Sequence, residues 1–258
     1  MTLMNGLVHG GKGYLWSDTA LFDRATGQFR GHLPKAFTGT LWPWAAAISG
    51  LYDLNDPHRV ARAIGGALPF DTPALLKAAV AALRDELKAG LPCRLLVAVP
   101  CTDYGARLYF IAADETGLTP PFVPLELVEF TSSGNGSQRY AEIDALGFTP
   151  ARMLEFIDHQ YASPTDTVQG WSGCTIGGDA IEVEVSAAGV TSRVVREWGD
   201  RVGERIERKA NALASRFAKE PSSFPRSESG NQPPNLSPLR RGFFGSSPDA
   251  IRLSTVRR

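Results

Sequence analysis

Two strand-like apolar runs, residues 2–9 and 13–22, stand on either side of Gly10-Gly11-Lys12-Gly13. A glycine-rich spacer this short reverses the chain and pairs its flanks antiparallel. An antiparallel sheet therefore starts within the first two dozen residues. Asp23 to Gly27 is a second turn, and residues 35–38 and 41–49 read as two more strands around Thr38-Gly39-Thr40.

The pattern then changes period. Asp56-Pro57 can cap a short helix over 57–66. Asp71-Thr72-Pro73 starts a better one, with proline in the first turn, where its missing N–H costs little. Leu76, Val80, Leu83 and Leu87 follow at helical spacing until Gly90 stops them. Strand patterns return at 94–100, 106–113 and 122–130. A weakly helical stretch covers 138–146, and Thr149-Pro150 caps a helix carrying Met153, Leu154, Phe156, Ile157 and Tyr161. Gly177-Gly178 precedes a strand at 180–186, Ala188-Gly189 turns the chain, and 190–197 pairs back. A last helix is expected over about 199–219, with Val202, Ile206, Ala210, Leu213 and Phe217.

Segregated blocks of strands and helices indicate an α+β fold, not alternating βαβ units. The architecture that accommodates them is a four-layer α-β-β-α sandwich of two antiparallel sheets between helix layers. Periodicity ends near residue 220. Residues 221–258 hold six prolines and eight serines, too little apolar surface to offset ordering entropy. The expected organisation is one folded domain over 1–220 and a disordered basic tail over 221–258. The chain is formally neutral, but the tail carries six arginines against Glu228 and Asp249, net +4, leaving −4 on residues 1–220. A mildly acidic folded unit is not expected to bind nucleic acid. The basic arm can meet acidic partners.

No run of 18 apolar residues exists and the N-terminus lacks a signal-peptide pattern, so neither membrane insertion nor secretion is expected. Three cysteines, Cys93, Cys101 and Cys174, without a CxxC pair suit a reducing cytoplasm. No P-loop, GxGxxG or HExxH motif is present, and the four histidines share no metal-ligand spacing. No metal or cofactor is expected. Gly170-Trp171-Ser172-Gly173 is not a GxSxG elbow.

Thr2 stands out. If Met1 is removed, Thr2 carries a hydroxyl nucleophile and, in its own α-amine, a base titrating at about 7.7–8.0. The layout that follows is Gly13-Tyr14-Leu15-Trp16-Ser17-Asp18-Thr19-Ala20, then Pro34-Lys35-Ala36-Phe37, then Ala45-Ala46-Ala47-Ile48-Ser49-Gly50. It resembles the proteasome β-subunit family of N-terminal-nucleophile hydrolases. Further on, Gly134-Asn135-Gly136-Ser137 with Tyr140-Ala141 is similar to the family's Gly-Ser-Gly helix entry, and Ile176-Gly177-Gly178 to its Ser-Gly-Gly. The resemblance covers about residues 2–217 and is strongest over the first 50.

It implies a nucleophile at Thr2, with Lys35 as the buried cation beside it and Asp18 as the acid that holds Lys35. It implies an oxyanion donor at the Gly50 N–H. Ile48 and Tyr52 would flank a side-chain pocket, and Asn135, Gly136 and Ser172 would support the threonine amine. The substrate class is peptide or amide bonds, and a homo-oligomeric ring follows by analogy. The sequence also departs from the family. Asn135 replaces the family's serine, Gly173 falls where an aspartate is expected, and the Asp-to-Lys spacing is one residue longer. An inactive assembly subunit of the same fold and a small-amide hydrolase therefore stand beside the peptidase reading.

Overall fold

The computed structural model describes residues 3–23, 26–50, 56, 58–116, 118–132, 145–162, 165–168, 171–173, 176–205 and 252–254. These form an α+β protein with antiparallel sheets and three α-helices. No helix among the described residues is long and apolar enough to cross a membrane.

The first hairpin is β1 (Met4–His9) and β2 (Lys12–Asp18), in register from Met4↔Ser17 to His9↔Lys12. Gly10 and Gly11 make the turn at φ +57° and +75°, where glycine has no steric penalty. β13 (Asp179–Ser186) pairs on the far side of β2, and β14 (Gly189–Glu197) on β13. On the other flank, β1 pairs with β10 (Glu129–Thr131), and β10 with β15 (Arg252–Ser254). The order in this six-stranded sheet is β14-β13-β2-β1-β10-β15. A five-stranded sheet follows the order β5 (Ala36–Thr38), β6 (Ala45–Gly50), β7 (Cys93–Cys101), β8 (Gly105–Ala112) and β9 (Leu125–Leu127). Two small hairpins, β3 (Ala20–Phe22) with β4 (Phe29–His32) and β11 (Thr165–Val168) with β12 (Trp171–Gly173), complete the strands.

The helices are α1 (Arg59–Gly66), α2 (Thr72–Lys88) and α3 (Pro150–Ala162). Asp71 caps α2 by accepting the Ala74 N–H at 2.8 Å. α1 begins two residues later than Asp56-Pro57 suggests. Its N-cap is His58 without a side-chain cap, and the Asp56 carboxylate pairs with Arg62 instead.

Strand alternation divides the apolar side chains into three clusters. Leu7, Tyr14 and Trp16 meet Met153, Phe156 and Ile157 of α3. Ile48, Leu95 and Val97 meet Val60 and Ile64 of α1 and Leu75 and Leu83 of α2. The third cluster draws on both sheets, with Met4, Leu15 and Val183 from one and Ala47, Leu96 and Phe110 from the other. There a Cβ on Gly6 would lie 2.7 Å from Leu96 Cδ2 and 2.9 Å from Leu108 Cδ2. Gly6→Val should overpack this cluster and cost about 1–3 kcal/mol, read as a lowered Tm.

Several sequence expectations are redrawn. The run 13–22 is two strands, because at Thr19 the backbone leaves β2 and its N–H donates to the Asp179 carbonyl at 2.9 Å. The run 122–130 also divides, β9 in one sheet and β10 in the other. Of residues 41–49, only 45 onward is strand. β4 was not legible, since Phe-Arg-Gly-His has no apolar alternation. On α2 the buried line runs through Leu75, Ala79, Ala82, Leu83 and Glu86, while Leu87 is 40% exposed. The small alanines let the helix approach the sheet, and Glu86 is held by Arg59. Residues 199–205 are not helical. Gly203 N–H donates to Phe29 O at 2.8 Å, and Gln28 bridges to Arg205. The rest of that expected helix, and 138–144, lie outside the described residues. So does the segment read as a tail, except Arg252–Ser254, which forms β15.

Candidate active site

Asp18 ends β2, and Lys35 immediately precedes β5. The chain between them is pinned at both ends. The Leu33 N–H donates to Thr19 O at 2.6 Å, and the Ile48 N–H donates to Lys35 O at 2.8 Å. The Lys35 side chain is thereby delivered to Asp18, with Nζ 2.9 Å from each carboxylate oxygen. The Asp18 side chain is 0% exposed and the Lys35 side chain 2%. Burying two charges is costly unless they are paired and further hydrogen-bonded. Asp18 meets that condition. Its Oδ1 accepts the Leu3 N–H at 2.9 Å, and its Oδ2 accepts the Ala20 and Gly177 N–H groups, each at 3.3 Å.

Burial pushes the Lys35 ammonium below its ordinary value, against the charge and hydrogen bonds of Asp18. Burial also raises the Asp18 carboxyl, opposed by Lys35 and by the Gly177 and Leu3 amides. A lysine held this way is a buried cation fixed in position by its carboxylate. Two of its three N–H donors face Asp18, which leaves one for a further acceptor.

The Leu3 amide ties this pair to the start of β1. Leu3 is bonded to Thr2 in the chain, and its own N–H is the one Asp18 Oδ1 accepts. The next amide, Met4 N–H, donates to Ser132 Oγ at 2.9 Å. Asn5, fully buried within β1, donates from Nδ2 to Gln160 Oε1 of α3 at 2.7 Å and accepts the Ser132 N–H at 3.1 Å. Asp18, Ser132 and Gln160 thus hold three successive residues of the chain start. Sequence reasoning did not identify this network. Its signal was polar residues at core positions: Asn5 in a strand that packs on both faces, and Gln160 in helical register with Met153, Phe156 and Ile157. Ser17 Oγ, on the same face as Leu15, is a buried side-chain oxygen without a hydrogen-bond partner among the described residues.

Gly50 ends β6 opposite Cys93. Its φ is +142°, and an added Cβ would lie 2.5 Å from Pro92 O, so only glycine fits. Ile48 is 5% exposed and packs toward α1 and α2. Thr2, Tyr52, Asn135 and Gly136 lie outside the described residues. Ser172 is in β12, with its side chain outside them. The structure brings Asp18 and Lys35 together and places Gly50 on the strand whose Ile48 amide meets Lys35.

Cys93 is buried, and desolvation pushes its thiol up to about 12. For Cys101, at the end of β7, burial raises the thiol. The Tyr104 and Asp103 amides and Arg107, whose Nε lies 3.2 Å from Sγ, outweigh it and leave the thiol below its ordinary value. In a Cys174→Ser background, iodoacetamide at neutral pH should modify Cys101 at least about 100-fold faster than Cys93, as peptide mapping would show. A small cavity lined by Thr38, Leu41, Trp44, Leu68 and Pro69 has a volume near 50 Å³. It is too small for a ligand pocket, which typically holds about 300–1,000 Å³. Among the described residues no group of three His, Cys, Asp or Glu is placed to hold a metal ion.

No protein-family model matches the chain, and no curated protein is significantly similar to it.

Proposed function

We propose that this chain is a proteasome-like N-terminal-nucleophile hydrolase that cleaves peptide or amide bonds through Thr2 after removal of Met1. The observation that carries the reading is the fully buried Asp18–Lys35 pair, whose carboxylate accepts the amide of the residue bonded to Thr2. The cost of burying a lysine and an aspartate there is hard to justify for a hairpin end that only had to fold. The proposed architecture is the four-layer α-β-β-α sandwich. Support comes from one apolar cluster shared by both sheets and from two others that join α3 to one sheet and α1 and α2 to the other.

In the proposed mechanism the Thr2 α-amine accepts the Thr2 hydroxyl proton. The alkoxide attacks the substrate carbonyl, and the ammonium of Lys35 stabilises the developing charge on Oγ. The Gly50 N–H donates to the tetrahedral oxyanion. The C–N bond breaks as the leaving amine takes the proton from the α-amine, and the acyl group remains as an ester on Thr2. Water, deprotonated by the same amine, then hydrolyses the ester. Lys35 keeps its own proton throughout, and Asp18 keeps Lys35 in place.

Intact-mass measurement tests this directly. The purified chain should lack Met1 and should gain one adduct from a peptidyl epoxyketone, which requires both the hydroxyl and the free amine of an N-terminal threonine. Retained Met1, or no adduct on the processed chain, would favour an assembly subunit without catalysis. If the chain is processed and labelled, fluorogenic peptides compared with small acyl amides distinguish peptidase from amidase.

A further inference from the structure

A second polar cluster lies directly behind Asp18. Three consecutive amides, those of Gly177, Gly178 and Asp179, donate to three different side-chain oxygens. Gly177 donates to Asp18 Oδ2 at 3.3 Å, Gly178 to Asp200 Oδ2 at 2.7 Å, and Asp179 to Thr19 Oγ1 at 2.8 Å. Side-chain oxygens therefore accept every amide of the corner. Two backbone bonds add to these: the Trp198 N–H donates to Gly178 O at 3.2 Å and the Thr19 N–H to Asp179 O at 2.9 Å.

His32 closes this bracket. Its Nδ1 lies 2.9 Å from Thr19 Oγ1 and 3.3 Å from Asp179 Oδ2. Phe29, fully buried, meets its ring edge-on at 5.2 Å between centroids. The corner backbone sits against this contact. Gly178 has φ +72°, and a Cβ there would lie 2.5 Å from Thr19 Oγ1 and 3.1 Å from His32 Nδ1. Among the described residues, the charges facing His32 are Asp179 and Asp200. Asp200 also accepts the Tyr161 hydroxyl at 3.0 Å, and the Asp18–Lys35 pair lies beyond the corner.

Both ring nitrogens facing one hydroxyl and one carboxylate would suit a relay, but here Thr19 and Asp179 share the same nitrogen. In a relay the nucleophile and the carboxylate occupy opposite nitrogens. Thr19 Oγ1, which also accepts the Asp179 amide, is not arranged as a nucleophile. The arrangement suits holding rather than chemistry.

We propose that His32 is a positioning residue: through Thr19 and Asp179 it seats the Gly177–Gly178 corner on the Asp18 carboxylate. Its catalytic consequence rests on the Thr2 reading, since Asp18 orients Lys35 there. The seating itself does not depend on that reading.

The experiment follows amide hydrogen exchange in the full-length chain and, separately, Thr2 labelling by the epoxyketone. His32→Phe should raise exchange at Gly177 and Gly178 by about tenfold or more, with Leu96 and Val97 in the core unchanged. Gly178→Ala, which forces a methyl into the same contact, should do likewise. His32→Asn keeps an N–H close to the Nδ1 position, and its exchange should stay within about twofold of wild type. The maximal labelling rate should fall about tenfold in His32→Phe while half-saturation stays constant, and His32→Asn should restore it. Unchanged exchange in His32→Phe, or an Asn variant as loose as the Phe variant, overturns the proposal. Loosened exchange with rescue by Asn, in a chain whose Thr2 never labels, upholds the seating role and removes the catalytic reading instead.

Discussion

Lys35→Met is expected to destabilise the fold by about 3–5 kcal/mol at neutral pH, because it strands a fully buried carboxylate. The loss should depend on pH. In the wild type, Lys35 opposes the burial that raises the Asp18 carboxyl. Without Lys35 that opposition is gone, and the folded-state value of Asp18 rises further above its unfolded one. A raised carboxyl favours the protonated form in the folded state. Stability of the variant is then retained below the unfolded value and lost as pH climbs through the folded one. Urea denaturation of Lys35→Met from acid to neutral pH should show that decline. The double variant Asp18→Asn/Lys35→Met should recover most of the loss. Asparagine removes the charge and keeps one acceptor oxygen, enough for the Leu3 amide or for the Ala20 and Gly177 amides, which met different oxygens of the carboxylate. Asp18→Leu/Lys35→Met should recover less, because it leaves those buried donors unsatisfied. A double variant no more stable than Lys35→Met would show that the pair's charge is not what makes the single change costly.

Thr2→Ala is expected to lower turnover of any peptide or amide substrate by about ten-thousandfold or more while leaving the Tm unchanged. The two halves of that expectation have separate causes. The hydroxyl is the proposed nucleophile, so its removal eliminates the acyl-ester step. The alanine amide still follows Met1 or becomes the N-terminus, and the Leu3 N–H bond to Asp18 is retained. Thr2→Ser keeps both the hydroxyl and the amine and should retain measurable activity. Steady-state kinetics on one fluorogenic peptide would compare all three forms. Wild-type activity in Thr2→Ala would exclude Thr2 as the nucleophile.

The Asp18–Lys35 pair was legible in the sequence only through the resemblance of its surroundings. Two charged residues in otherwise strand-like segments have many structural explanations, and spacing alone does not join them. Once joined, they are the least ordinary feature of the first 50 residues. The backbone amides that complete the site were not legible. A carboxylate's partners among Leu3, Ala20 and Gly177 depend on where three separate segments end, and Gly177 lies 159 residues from Asp18. The Asn5–Gln160–Ser132 network was equally hidden, although each side chain interrupts an apolar pattern. On α2 the leucine spacing pointed to a helix but misplaced its buried line, because alanine gives a weak hydrophobic signal yet allows the closest approach.

The sequence by itself determined the succession of strand and helix blocks, the hairpin turn at Gly10-Gly11, a second hairpin whose turn falls at 187–188, one residue before Ala188-Gly189, and the Asp71 cap of α2. Each is set by a few neighbouring residues. Backbone conformation and side-chain period act over one or two turns of chain, so local composition is enough to fix them. Only the tertiary structure decided that the run 122–130 splits between two sheets. It also decided that Thr19 turns the chain out of β2 and that a C-terminal trio pairs with β10. Those outcomes depend on which distant segment is available to satisfy a given N–H or cover a given apolar face. The same reason makes the site a tertiary object. Burial raises the cost of the Asp18–Lys35 charges, and the amides that offset it converge from the residue before β1, from β3 and from the corner before β13 only when the sheets have formed.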